Sequence, residues 1–151
     1  MTSPHGRGHY ARLAGMAALS FIAMYILMYA MVDRFDNVYS NFNQFYMAGL
    51  MTVPMVVLEL VLMKSMYANR RVNGAIFAIC AVAFVALWFG IREQGGISER
   101  QFLRSMIPHH AGAILMCEQT EMTDAAVLRL CRDIVSSQKS EIDQMKALLS
   151  E

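Results

Sequence analysis

Three long runs of the chain carry no Asp, Glu, Lys or Arg: residues 13–32, 37–58 and 72–91. Each is close to the ~20 residues that a helix needs to cross a ~30 Å hydrocarbon core at 1.5 Å per residue. The pattern predicts spans over about 11–32, 45–67 and 73–91, with Glu59 inside the second. The first run is too long for the apolar part of a signal peptide and has no clear small-x-small cleavage site, so it is kept as a span.

After Gly95-Gly96 the pattern changes to amphipathic helices. Ser98 can cap a helix, Gln101 can reach back to it, and Ile97 can pack on Phe102. This helix is expected to run to about Glu121. Thr123-Asp124 then reads as the cap of a second helix reaching about Leu149. So short a turn makes the two helices antiparallel neighbours. The expected fold is all-α: a membrane region of three helices over residues 1–92, then a helical hairpin over 93–151.

Composition agrees with this division. The chain is 56% hydrophobic with a mean hydropathy of +0.37, and residues 92–151 hold 16 of its 25 charged residues. A net charge of +1 gives no footing for nucleic acid. Three cysteines do not make a disulfide scaffold, and no nucleotide or nucleophile–base motif appears, so an enzyme is not expected. Arg7 and Arg12 precede the first span, and Lys64, Arg70 and Arg71 sit at the second connection. The first connection has only Arg34. The positive-inside rule then puts the N-terminus in the cytoplasm and the hairpin outside, in a periplasm-like space at a bacterial inner membrane.

Candidate chemistry lies on the hairpin. At 100° per residue, Met106, His109, His110, Ala113, Met116 and Cys117 share an arc of the first helix. Cys131, Ile134, Gln138, Glu141, Ile142 and Met145 share a face of the second. Pairing about residue 124 sets Cys117 level with Cys131, His110 with Gln138, and Met106 with Ile142. Buried polar groups without partners cost a few kcal/mol each, roughly. Thioether and thiolate donors favour Cu(I), whereas Zn(II) has little use for thioether. Ligands from one helix must lie three or four residues apart. Two sites or one elongated patch are expected. The first uses Met106, His109 or His110, with Glu141 or Met145; the second uses Met116, Cys117 and Cys131. Cys117–Cys131 is equally open to being a disulfide. Pro108 is expected to kink the helix and aim the two histidines.

Phe102-x-x-x-Met106-Ile107-Pro108-His109-His110-x-x-Ala113-Ile114-x-Met116 resembles the signature of the domain of unknown function 305 family. Gln138-x-x-Glu141-Ile142-x-x-Met145 does the same. The resemblance implies a ferritin-like helical bundle and an extracytoplasmic role in copper binding or resistance. It gives Met106, His109, His110, Met116, Gln138, Glu141 and Met145 the family's motif positions. The family often has two hairpins; this chain has one, so a homodimer or higher homo-oligomer is expected. Cys117 and Cys131 stand where small residues are typical, and Leu148 where Trp is frequent. The three spans lie outside the signature.

The expectation is a membrane-anchored copper-binding protein that holds Cu(I), less readily zinc, and exchanges it with a copper transporter or chaperone. A dithiol redox factor using Cys117 and Cys131, or an interaction protein with a dimerising hairpin, are the alternatives. Met24, Met28 and Met31, and Met47, Met51 and Met55, form patches on the first two spans. Packing is the plainer reading of both; a thioether track to the hairpin is the other. By depth, Ser20 and Cys80 are the nearest candidate partners for Glu59.

Overall fold

A computed structural model describes the backbone of residues 4–151 and the side chains from residue 8 onward. It has five α-helices: α1 Pro4–Leu27, α2 Phe42–Leu62, α3 Arg70–Arg92, α4 Glu99–Gln119 and α5 Ala125–Ser150. Short 3-10 turns at Met28–Met31 and Phe35–Asn37 lie between α1 and α2. No strand occurs among the described residues. The chain is all-α, as its hydropathy pattern predicts.

Two compact units result. The first comprises Met1–Leu27 and Asn43–Gly96, the second Met28–Phe42 and Ile97–Glu151. The connection between the first two long helices groups with the hairpin.

The first unit holds the three helices that are long and apolar enough to cross a membrane: Gly8–Met31 (its last turn lying in the second unit), Phe42–Leu62 and Arg70–Arg92. Only 6% of the first and third apolar windows is buried by protein. Leu19, Ile26, Ile79, Val82 and Phe89 point outward, an apolar surface that water does not tolerate and lipid does. A core of Leu13, Val56, Leu60, Tyr67 and Cys80 joins the helices. Close approach needs Gly49, where a Cβ would fall 2.7 Å from Leu87 Cδ1. Asn69 caps α3 by accepting from the amides of Arg71 and Val72.

The second span is shorter than its hydropathy suggests. α2 stops at Leu62, and a turn over residues 63–66 folds Tyr67 back. The Tyr67 hydroxyl then donates to Glu59 Oε1 at 3.2 Å. Glu59 is therefore served from the connection, and its partner is neither Ser20, whose hydroxyl donates to Met16 Sδ, nor Cys80.

In the second unit α4 and α5 form the expected antiparallel hairpin. Ser98 Oγ accepts from Gln101 N, and Asp124 accepts from the amides of Ala126 and Val127. The capping box is not closed as expected: Gln101 Oε1 instead accepts the amide of Phe42 at 3.1 Å. α4 ends two residues earlier than expected, at Gln119, with Thr120 N donating to Met116 O. Ile107, Ala111 and Ile114 are wholly buried, packed with Ile142 and Met145 and flanked by Val32, Tyr39, Leu103, Met106 and Leu149. Val32 and Tyr39 come from the first connection. That segment is held in shape by the Tyr29 hydroxyl, which donates to Tyr39 O at 2.7 Å. Asn37 adds a bond from Nδ2 to Asp33 Oδ1 at 2.6 Å.

Candidate metal centre

α4 buries a different stripe from the one its sulfur and imidazole groups suggest. The fully buried residues are Ile107, Ala111 and Ile114. They lie partly under the first connection, which covers a second side of α4. The stripe through Met106, His110 and Cys117 meets α5 as well, along a seam through His110–Glu141 and Cys117–Cys131.

His110 is the buried polar group of that seam, with 7% of its surface exposed. Its Nδ1 lies 2.9 Å from Met106 O, and its Nε2 2.6 Å from Glu141 Oε2. A carbonyl oxygen only accepts, so Nδ1 carries hydrogen and donates. Nε2 then faces the Glu141 carboxylate. The ring is thus fixed by its own helix and presents Nε2 to α5. A histidine whose other nitrogen is tied to a carbonyl in this way is oriented as metal-ligating histidines are.

The partner of His110 is Glu141, one turn beyond the Gln138 that simple levelling gives. Side chains on a helix lean toward its N-terminus. In an antiparallel pair His110 and Glu141 therefore lean toward each other and meet between their levels. Met106 lies one turn before His110 on α4, and Met145 one turn after Glu141 on α5. Both pack into the same apolar cluster, Met145 buried and Met106 half-buried. Gln138 is half-buried on α5.

The remaining candidates separate. Cys117 and Cys131 are joined by a disulfide, with their Cα atoms 5.4 Å apart. In this state they are not thiolates, so the expected Met116–Cys117–Cys131 donor set is not formed. Met116 is 52% exposed and points away from the core. His109 is exposed beside His110, their ring centroids 6.0 Å apart. Pro108 is buried within a continuous α4. Among the described residues no three His, Cys, Asp or Glu side chains are grouped to hold a metal ion.

The residues that sequence reasoning missed are in the first connection: Val32 and Tyr39, which roof the core, and Met31, whose backbone rests on Gly112 of α4. A cavity of about 210 Å³ also lies there, lined by Asp33, Asp36, Asn37, Lys139, Asp143 and Lys146 among others.

Three membrane-length apolar helices combined with a polar helical hairpin, closed by a disulfide at one end and holding a buried histidine paired with a half-exposed carboxylate, define the class of this protein. The chain belongs to the family described as domain of unknown function (DUF305), which matches residues 91–149. An uncharacterized protein of Acanthamoeba polyphaga mimivirus is 32% identical over 139 residues, covering 90% of each chain. That similarity extends beyond the hairpin into the apolar helices. No solved structure matches the chain.

Proposed function

We propose that this protein is a membrane-anchored copper-binding protein that takes up Cu(I) on the hairpin, outside the cytoplasm. It would buffer the ion or hand it to a transporter or chaperone by ligand exchange, without catalysis. The observation that carries this reading is His110, buried, tied through Nδ1 to Met106 O, and presenting Nε2 to the seam flanked by Met106 and Met145. Two thioethers and one imidazole are a donor set that Cu(I) accepts and that zinc does not favour. Met106 O would orient His110, and Glu141, which bonds that same Nε2, would have to release it or join the donors as the ion enters.

An extracytoplasmic hairpin is supported by the basic residues Arg7 and Arg12 near the start of α1 and those around the second connection. The Cys117–Cys131 disulfide supports it too, because such bonds persist in oxidising compartments. A ferritin-like bundle completed by a second copy of the hairpin belongs to the same reading.

The test is competition for Cu(I) against a chromophoric chelator, using the full chain in detergent. His110→Ala combined with Met106→Leu and Met145→Leu is expected to abolish competition while helical circular dichroism is retained. Unchanged affinity in the triple variant would sink the site.

The bonded cysteine pair supports a second reading, a dithiol redox factor. Exchange of the Cys117–Cys131 disulfide with a small dithiol, in a protein that binds no Cu(I), would favour it.

A further inference from the structure

The first connection and α5 enclose the cavity of about 210 Å³, which lies wholly within the second unit and has no part in the copper reading. Its wall carries acidic Asp33, Asp36 and Asp143 against basic Arg34, Lys139 and Lys146, in equal number. Asn37 is the decisive residue. It is 5% exposed, and its Nδ2 donates to Asp33 Oδ1 at 2.6 Å. A carboxylate oxygen only accepts, so the amide nitrogen must face Asp33 and the amide oxygen is the end left over. That Oδ1 is buried and meets no donor among the described residues, a costly state for an acceptor. The Asp33 side chain beside it is only 8% exposed, and Arg34 Nε stands 4.0 Å from its Oδ2. Lys139 is already bonded to Glu118. Asp36, Asp143 and the half-buried Lys146 form no ion pair among the described residues.

These groups call for a ligand of both signs. Asn37 Oδ1 and Asp33 need N–H donors on a cation, while Lys146 and Arg34 need an anion. A bare metal ion fits poorly: no three His, Cys, Asp or Glu side chains are grouped for it among the described residues, and basic side chains share the wall. A primary ammonium has three N–H donors, whereas a quaternary ammonium has none. Position narrows the source. Asp33 follows by two residues an apolar helix that ends at Met31, a reach of at most ~7 Å. If that helix crosses a bilayer, this is the depth of the headgroup layer, ~5–7 Å thick on each side of the hydrocarbon core. We propose that the cavity holds the headgroup of a membrane phospholipid with a primary ammonium, of the phosphoethanolamine type. The ammonium donates to Asn37 Oδ1 and Asp33, and the phosphate lies against Lys146 and Arg34. The lipid thereby ties the first connection to α5. The inference rests on the membrane reading of the apolar helices and is independent of copper.

The test uses the full-length protein in non-ionic detergent. It is titrated with short-chain phosphatidylethanolamine, with phosphatidylcholine of the same chains, and with soluble phosphoethanolamine. Native mass spectrometry counts the retained lipid, and thermal melts report its stabilising effect. The native protein is expected to retain one phosphatidylethanolamine. It is expected to bind phosphatidylcholine about 10-fold more weakly, the order that one hydrogen bond to a charged group carries. Asn37→Ala is expected to bind the two lipids alike. Lys146→Ala, which disturbs no ion pair of the fold, is expected to weaken both, since both carry phosphate. Equal binding of the two lipids by the native protein would overturn the inference and leave water as the occupant. Undiminished binding by Lys146→Ala would overturn it as well. Soluble phosphoethanolamine binding as tightly as the lipid would rule out the membrane as the source. Cu(I) competition is expected at native strength in Asn37→Ala and Lys146→Ala. The triple variant of His110, Met106 and Met145 is expected to keep the lipid preference, so either reading can fail without the other.

Discussion

At the residue scale the seam turns on His110 and Glu141. The His110 side chain is 9% exposed and that of Glu141 49%. A hydrogen bond to a charged group contributes about 1.5–3 kcal/mol in general. Solvent at Glu141 screens this one, so a coupling of about 1 kcal/mol is expected. Glu141→Leu strands the buried imbalance on His110, whereas replacing both residues by Leu removes it. Denaturant unfolding of the two single variants and the double variant should therefore give a double less destabilised than the sum of the singles. Strict additivity would mean that the pair is not coupled. The four-residue spacings, Met106–His110 and Glu141–Met145, are legible in the sequence, as is the levelling of Cys117 with Cys131. The identity of the partner to His110 is not, because levelling treats side chains as perpendicular to the axis, while both lean toward their helix N-termini and together offset the contact by nearly a turn. Nor can spacing decide whether two level cysteines bond each other or a metal.

At the element scale, local chemistry was readable and long-range chemistry was not. Ser98 and Asp124 mark the starts of α4 and α5 because a cap acts over three residues. The end of α2 was misjudged because its apolar run continues to Tyr67. The turn there is stabilised by contacts from elsewhere: Tyr67 to Glu59, and Asn73 Nδ2 to Tyr67 O. The docking of Met28–Phe42 on the hairpin has no local signature at all. Asp124 gives a direct test of the α5 cap. Hydrogen bonds from the Val127 amide, and then from that of Ala126, hold its carboxyl below the usual carboxylate range. The folded state thus binds a proton less readily than the unfolded state. The cap's contribution is full above the ordinary carboxylate pKa and is lost as pH falls through that range toward the lowered value. Asp124→Asn keeps an acceptor oxygen but does not titrate. Thermal melts across this acidic window should show a smaller drop in midpoint for Asp124→Asn than for the native protein. An equal drop would show that other carboxylates govern acid unfolding.

At the scale of the whole molecule, the second unit constrains the path through the membrane. It contains Met28–Phe42, which precedes α2, and Ile97–Glu151, which follows α3. These segments pack on each other, so both are expected in one aqueous space. If α2 and α3 cross a membrane, they would then cross as a there-and-back pair, with residues 63–69 on the opposite side. A crossing by α1 would put its start on the side of that connection, where the positive-inside rule would place Lys64, Arg70 and Arg71 in the cytoplasm. A membrane-impermeant thiol reagent on intact cells tests the whole path. Ser40→Cys, in the first connection, is expected to react from outside, and Ser65→Cys, in the second, only after lysis. Cys117 and Cys131 are expected to react from outside only once a reductant has opened their bond. The same reduction should lower stability by about 3 kcal/mol, the value for a closed loop of roughly 15 residues. Reaction of Ser65→Cys in intact cells, or of Cys117 without reductant, would overturn this topology. An inverted chain would place His110 and the methionines in the cytoplasm, where Cys117 and Cys131 would stay reduced.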